Sequence, residues 1–511
     1  FVSIKRHVTK NILFITADQW RAECLSCLGH MVQTPNLDAL AAEGVLFTKH
    51  FANAAPCGPS RASIHTGMYL QNHRVSGNGT PLEARHTNWA LEMRKEGFGP
   101  TLFGYTDTAL DPREHTTTGP TQKTWDGVLP GLEPIVQLGK LLESGPHSWA
   151  EWVSKKGYPV PADSNELYTS KKAQPEWEEG GPEAAPLSIP AELHDTYFMV
   201  DQVLDYIKDR QDWCVHLSLL RPHPPWVAPE PYNRMYHPND LPPISRAKDL
   251  ESERSQHPYL DYLLQQKHFR CPDDEKKLRR LQSSYFGLMT EVDHNLGRLF
   301  DALKASGEWS NTLIIFSSDH GEQMGDHWLI GKLGYFDQSY AIPLIIYNPS
   351  SVANDHRGTR VDQFTENVDL MSTMLDWLDL ETPLQCDGRS LLAATEKGQL
   401  PSAWRSQAHW EFDFSGRQSE SSLGLSPREC KLNVLRSETL KYVHFPTLPP
   451  LLFDLKNDPN ETLNVANNPH YNAAMIQSAT DMVSWRMLHD DQSLTHLVIT
   501  DEGVVDRSVS Q

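Results

Sequence analysis

The chain has 511 residues, 39% of them hydrophobic, with 14 tryptophans; at about 150 residues per domain it is long enough for roughly three domains, and its composition excludes a disordered polymer. The formal net charge is −20, which argues against nucleic acid and anionic membranes as partners; cations for an anionic substrate must then be concentrated in a cleft. No apolar run reaches the roughly 18 residues of a membrane span, and the segment through Lys10 is too polar for a signal-peptide core, so the expected location is cytoplasmic.

In chain order, residues 11–16 form the first apolar, β-branched run and lead into Asp18 and Gln19. Cys24 and Cys27 make a C-x-x-C without a second pair, which reads as two small side chains in a loop or helix; seven cysteines in so long a chain do not suggest a disulfide framework. Pro35 to Glu43 has a helical pattern. Cys57-Gly58-Pro59-Ser60-Arg61 reads as a helix start, with Pro59 near the first turn and residues 60–66 continuing it. Asn78 lies in a Gly-Asn-Gly turn. Residues 101–103 run into Gly104-Tyr105, residues 214–220 into Arg221-Pro222-His223, and residues 312–316 into Asp319-His320, with Lys332 shortly after. His216, inside the third of these runs, reads as a core histidine. Residues 288–305 are again helical in pattern.

Runs that are apolar on both faces suit buried parallel strands, and their alternation with helices predicts a large doubly wound α/β sheet. In such sheets ligands bind beyond the carboxyl ends of the strands, where all these polar clusters fall. Residues 110–190 and 242–277 read as two insertions within a catalytic domain spanning residues 1–400. Residues 401–511 read as a smaller C-terminal α+β domain with an oligomerisation tail.

The chemistry follows from these residue types. Asp18-Gln19 and Asp319-His320 offer two carboxylates, an amide and an imidazole, a set suited to one hard divalent cation, Ca²⁺ or Mn²⁺. Each pair alone would pass as a helix cap or turn. Cys57, at a helix start, faces the positive end of the helix dipole, where an anion can be met. Arg61 lies one turn further along the same face. His223 and Lys332 are each placed to protonate or neutralise a leaving oxygen.

Together these segments resemble the formylglycine sulfatase branch of the alkaline phosphatase superfamily, and most closely its bacterial phosphonate monoester hydrolase/arylsulfatase group. The resemblance rests on Asp18-Gln19-Trp20-Arg21-Ala22, the C-x-P-x-R element at Cys57, Gly104-Tyr105-Thr106, Arg221-Pro222-His223-Pro224-Pro225 and Ser318-Asp319-His320-Gly321-Glu322-Gln323. It continues through Gly331-Lys332, Cys386-Asp387-Gly388-Arg389 and residues 449–455. It implies a metal held by Asp18, Gln19, Asp319, His320 and the residue at position 57, with substrate contacts from Arg61, Asn78, Tyr105, His223 and Lys332. It also implies conversion of Cys57 to formylglycine by a formylglycine-generating enzyme. The hydrated aldehyde then attacks a sulfate or phosphonate ester, and expulsion of the acid group restores the aldehyde. A homodimer or homotetramer is the implied assembly.

Two features depart from the group. His65 stands where an aliphatic residue is usual. Asp107 follows Gly104-Tyr105-Thr106 where the phosphonate hydrolases resemble Gly-Tyr-Thr-Thr, and the Gly-Lys-x-His of typical sulfatases is missing. An acid facing an anion repels it unless it is paired or turned away. The first expectation is therefore a sulfate monoester hydrolase that also accepts phosphonate monoesters and phosphodiesters. A phosphonate monoester hydrolase is the alternative, and a non-catalytic anion-binding scaffold is the third reading.

Overall fold

A computed structural model describes residues 10–114, 127–137, 148–171, 185–416 and 418–507. Nine strands form the central sheet: β1 (Asn11–Ala17), β2 (Val45–Phe51), β3 (Pro100–Gly104), β4 (Glu133–Gln137), β5 (Cys214–Leu219), β6 (Thr312–Ser317), β7 (Ala341–Tyr347), β8 (Thr359–Val361) and β9 (Thr365–Glu366). Their order is β4-β3-β5-β1-β6-β7-β2-β8, with β9 also paired to β2. Every pairing is parallel except the two made by β7, which runs against β6 and β2. The sheet is thus mostly parallel, as the apolar runs imply. The reversed β7 could not be foreseen, because Ala-Ile-Pro-Leu-Ile-Ile-Tyr has the same two-faced apolar character as its parallel neighbours.

The four runs that the sequence joins to polar clusters are the adjacent central strands β3, β5, β1 and β6. β1, β5 and β6 are buried along their whole length, so their side chains leave the polar chemistry to the residues just past their ends. Helices cover both faces. The helix Glu275–Ser306 is capped by Asp274, whose carboxylate accepts from the backbone of Lys276 and Lys277. It therefore starts well before the periodic residues 288–305 and takes in the last residues of the second expected insertion. That insertion also carries the helices Leu250–Arg254 and Pro258–Gln265. The first contains β4, at the edge of the sheet, and the helix Ser148–Lys155; residues 115–126, 138–147 and 172–184 lie outside the described residues.

Past residue 401 the architecture changes. Strands β10 (Gln407–Asp413), β11 (Lys431–Ser437), β12 (Leu440–His444) and β13 (Leu451–Asp454) form an antiparallel sheet, followed by the helix Asn472–Leu488 and a hairpin of β14 (Leu497–Thr500) and β15 (Gly503–Asp506). Among the described residues no helix is long and apolar enough to cross a membrane.

Candidate active site

β1 delivers Asp18 and Gln19, β6 delivers Asp319 and His320, and the helix Cys57–Thr66 delivers Cys57 at its first position. Ligand atoms of Asp18, Cys57, Asp319 and His320 all lie within 4.8 Å of one another, and all four residues are buried. The Cys57 Sγ is 3.2 Å from His320 Nε2. His320 Nδ1 lies 3.1 Å from the Gly321 carbonyl, which can only accept, so Nδ1 carries the proton and Nε2 turns a lone pair to the cluster. Asp18 Oδ1 is buried without a hydrogen-bond partner. An orphaned carboxylate oxygen, a bare imidazole nitrogen and a second carboxylate around one point are what a divalent cation satisfies, so this donor set fits the ion that the sequence implies.

Arg61 is almost wholly buried. Its Nε donates to Asp319 Oδ2 at 2.9 Å and its Nη2 to Asp18 Oδ2 at 3.2 Å. Nη1 reaches Ser218 Oγ at 2.7 Å and the Tyr105 carbonyl at 3.2 Å, and the guanidinium stacks 4.1 Å from the Tyr105 ring. Each side-chain nitrogen is engaged with protein, so Arg61 fixes the two carboxylates of the cluster. The Tyr105 hydroxyl donates to Asp18 Oδ2. Tyr105 is brought there by Gly104, at φ +124°, where an added Cβ would lie 2.0 Å from the Ser218 carbonyl; only glycine permits that approach. Burial opposes ionisation of Asp18, but His223, Lys332, His320 and Arg61 together hold its carboxyl well below the usual range.

The remaining expected residues surround this cluster. Gln19 accepts from Lys332 Nζ at 2.7 Å and donates to Glu322; its amide is therefore held by those two groups. Glu322 is buried and also accepts from the backbone of Gly331 at 2.7 Å and Met324 at 2.8 Å. Sequence reasoning gave Glu322 no role; its place two residues beyond His320 was the only available signal. Asn78 Oδ1 accepts from the Gly58 backbone at 2.9 Å and so ties its turn to the helix carrying Cys57. His223 Nδ1 lies 2.8 Å from the Pro224 carbonyl, which again fixes the proton on Nδ1. Burial, with Lys332 beside it, lowers His223 to about 3, so the ring is neutral and presents Nε2 as an acceptor. Lys332 is half-buried, which works against its charge, but the carboxylates of Asp18 and Asp319 beside it keep its ammonium charged. Burial and the nearby carboxylates push the Cys57 thiol well up, which leaves it a poor nucleophile unmodified.

The two departures have structural accounts. His65 is buried and its Nδ1 accepts from Trp89 Nε1 at 3.0 Å; burial lowers it to about 3, so it serves as a neutral core acceptor. Asp107 is also buried, at φ +49°, and its charge raises both the Cys57 thiol and the Arg61 guanidinium. His216 is a core histidine, stacked on Phe14 and 3.2 Å from Thr16 Oγ1. Burial raises Cys24 well above the ordinary thiol value and Cys27 to about 11. A cavity of about 490 Å³ opens beside the cluster, with Gln19, Asn78, His223 and Lys332 in its wall.

The chain is similar to known proteins over nearly its whole length. The sulfatase family model matches residues 10–380, and the N-sulphoglucosamine sulphohydrolase C-terminal model matches residues 325–487. The multifunctional alkaline phosphatase superfamily protein PehA of Trinickia caryophylli is 40% identical, over 98% of this chain and 99% of its own. An arylsulfatase of Clostridium perfringens is 28% identical, over 90% and 91%. The crystal structure of a phosphonate monoester hydrolase from Agrobacterium radiobacter has a TM-score of 0.90 and 41% identity, covering 98% of this chain and 99% of that one. The corresponding enzyme of Silicibacter pomeroyi has a TM-score of 0.88 and 36% identity, covering 97% and 99%.

Proposed function

We propose that this chain, which belongs to the sulfatase family of the alkaline phosphatase superfamily, hydrolyses phosphonate monoesters as its preferred reaction. It is a hydrolase of sulfate or phosphonate esters, and the order of preference expected from sequence is reversed here. The observation behind the reversal is the end-to-end likeness to two phosphonate monoester hydrolases, set against a 28% likeness to an arylsulfatase. Sulfate monoesters and phosphodiesters remain secondary substrates, since each presents a tetrahedral centre with one negative charge.

The residues divide the work. Asp18, Asp319 and His320, with Gln19 adjoining, would hold one divalent cation, Ca²⁺ or Mn²⁺. That ion and a formylglycine at position 57 would supply an oxygen nucleophile active at neutral pH. Arg61 and Tyr105 hold the carboxylates in place from behind. Lys332 brings a positive charge and a proton to the cavity wall, so it is the group that meets the leaving oxygen, while neutral His223 accepts a hydrogen bond opposite. Asn78 and the helix start orient the anion. Glu322 fixes Gln19 and through it Lys332.

The test is kcat/KM for a matched aryl sulfate and aryl phenylphosphonate with one leaving group, with Cys57→Ala as the blank. The expected result is a preference for the phosphonate and a loss on the order of 10⁴-fold or more in Cys57→Ala. A preference for the sulfate, or full activity in the variant, would overturn the reading.

A homo-oligomer, dimer or tetramer, is part of the same proposal. It is supported by the apolar side chains that the C-terminal segment leaves in solvent, among them Ile476 (71% exposed), Leu488 (77%) and Ile499 (85%). Light scattering of the full chain should give two or four times the 57.9 kDa protomer, and a monomer would count against it.

A further inference from the structure

The cavity beside the metal cluster is polar on the side described above and apolar elsewhere. Apart from exposed His268, every other side chain in its wall is apolar, with Trp226, Phe269, Ile330 and Leu333 the largest. Three of these, Trp226, Ile330 and Leu333, come from the same short segments that carry the groups facing the leaving oxygen. His223 is followed by Pro224 and Trp226, and Lys332 lies between Ile330 and Leu333. The apolar wall therefore flanks the path along which the leaving alcohol departs.

Phe269 comes from elsewhere, the end of the second insertion. The Ile330 backbone donates to the Phe269 carbonyl at 2.8 Å, and the Cys271 backbone donates to the Trp328 carbonyl at 2.9 Å. Arg270 and Leu329 are paired antiparallel between them. This clip fastens the insertion next to Lys332, and Phe269 is backed by the buried cluster that includes Tyr259, Leu263 and Leu333. Trp226 is held from behind as well, its Nε1 donating to the Pro222 carbonyl at 3.1 Å and its ring 6.4 Å from that of Tyr285. Two aromatic side chains thus line the cavity on rigid supports. A wall of this kind gains from a flat apolar group, and it offers few partners to a hydroxyl-rich one, whose polar atoms would lose water without replacement.

We infer that Phe269, carried by the second insertion and working with Trp226, is a specificity residue that selects esters with an aromatic leaving group. The inference rests on ester hydrolysis at Cys57, and it holds whether the acid group is a phosphonate or a sulfate.

The experiment compares two phenylphosphonate esters, one of a phenol and one of a small fluorinated aliphatic alcohol of the same acidity, so that intrinsic reactivity cancels. The wild type should favour the phenol ester by about 10-fold or more in kcat/KM. Phe269→Ala should bring the ratio close to one, mainly through KM, while hydrolysis of the aliphatic ester changes little. Phe269→Leu, which keeps an apolar side chain at the clip, should fall between; it decides the matter if the alanine protein does not fold. An unchanged ratio in the variants, or a wild-type preference for the aliphatic ester, would overturn the inference. If the wild type hydrolyses only the corresponding sulfate pair, the same ratios are read there, and the phosphonate reading fails while this one stands. Hydrolysis of neither pair would sink both.

Discussion

Two buried arginine–carboxylate clusters in this molecule are built from the same residue types and finish differently. At the strand ends, Arg61 serves Asp18 and Asp319, yet Asp18 Oδ1 has no hydrogen-bond partner, and His320 Nε2 faces the Cys57 sulfur with Asp18 Oδ1 and Asp319 Oδ2 at 3.7 and 3.6 Å. Where the antiparallel sheet meets the main body, Arg405 pairs with both oxygens of Asp369 and lies 3.2 Å from Glu366. There the Tyr69 hydroxyl donates to Glu366 at 2.6 Å, and the backbone of His409 and of Arg389 supply the remaining donors. No side-chain oxygen or nitrogen of Glu366, Asp369 or Arg405 is left buried and unpartnered. Burial and charge alone therefore do not distinguish a working site from a structural joint. What distinguishes them is the donor set: the site turns a carboxylate oxygen and an imidazole lone pair toward one point that a divalent cation would satisfy, whereas the charged side chains Arg405, Asp369 and Glu366 satisfy one another.

Mutation should separate the two most sharply at Asp18 and Arg405. Asp18→Asn should lower kcat on the order of 10³-fold or more and abolish the rise in Tm that added Ca²⁺ or Mn²⁺ gives the wild type. Without the metal its loss of stability should be modest, since the amide oxygen still accepts from Arg61 and Tyr105 and Asp319 still pairs with Arg61. Arg405→Met should do the reverse. It strands two buried carboxylates, at a cost of about 3–5 kcal/mol, while the activity of the molecules that stay folded is retained. Urea unfolding and kcat on the same preparations read both; a loss of stability in the metal-free Asp18→Asn protein as large as that of Arg405→Met would erase the distinction.

Asp107 tests the same contrast on a smaller scale. Beside Cys57, Asp107 adds negative charge where an anion must arrive, so Asp107→Thr should raise kcat/KM for monoanionic esters about 10-fold. If the effect is charge alone, sulfate and phosphonate esters gain equally. A change in their ratio would mean that the side chain at 107 touches the substrate, and no change for either would mean that its charge is already neutralised.

The strand-end residues were legible because β1, β5 and β6 are apolar on both faces, so the first polar residues past them stand out. Cys57 was legible for its motif, and His216 for its place inside a strand. The roles within the cluster were not. Arg61 and Tyr105, expected on the substrate, turn toward Asp18, because two carboxylates converge from strands about 300 residues apart in sequence, a fact of three dimensions. Glu322 was passed over since a glutamate in a polar loop carries no sign of being buried. Phe269 was hidden for a similar reason: nothing in residues 242–277 tells that their end pairs beside Lys332. The reversal of β7 escaped because strand direction is set by connections and partners, to which apolar composition is blind.

A pH-dependent effect belongs to Asp387, an acid of the joint whose hydrogen bonds come from neutral donors. Asp387 accepts from the Tyr69 backbone at 2.8 Å and from Asn72 Nδ2 at 3.0 Å. Burial, with the charges of Glu366 and Glu411 nearby, outweighs these donors and raises its carboxyl from the ordinary aspartate value of 3.8 to about 7. The folded protein therefore binds this proton more tightly than the unfolded chain does. Its contribution to stability is complete below pH 3.8, declines as pH rises through the interval up to about 7, and is gone above it. Asp387→Asn keeps an acceptor for the Tyr69 backbone and cannot titrate. In urea unfolding at a series of pH values, the wild type should lose stability relative to this variant between pH 5 and about 7, and the difference should then level off. A difference that stays flat across the series would mean that Asp387 is ionised throughout, and that this joint is charge-balanced at every position by a donor not yet identified.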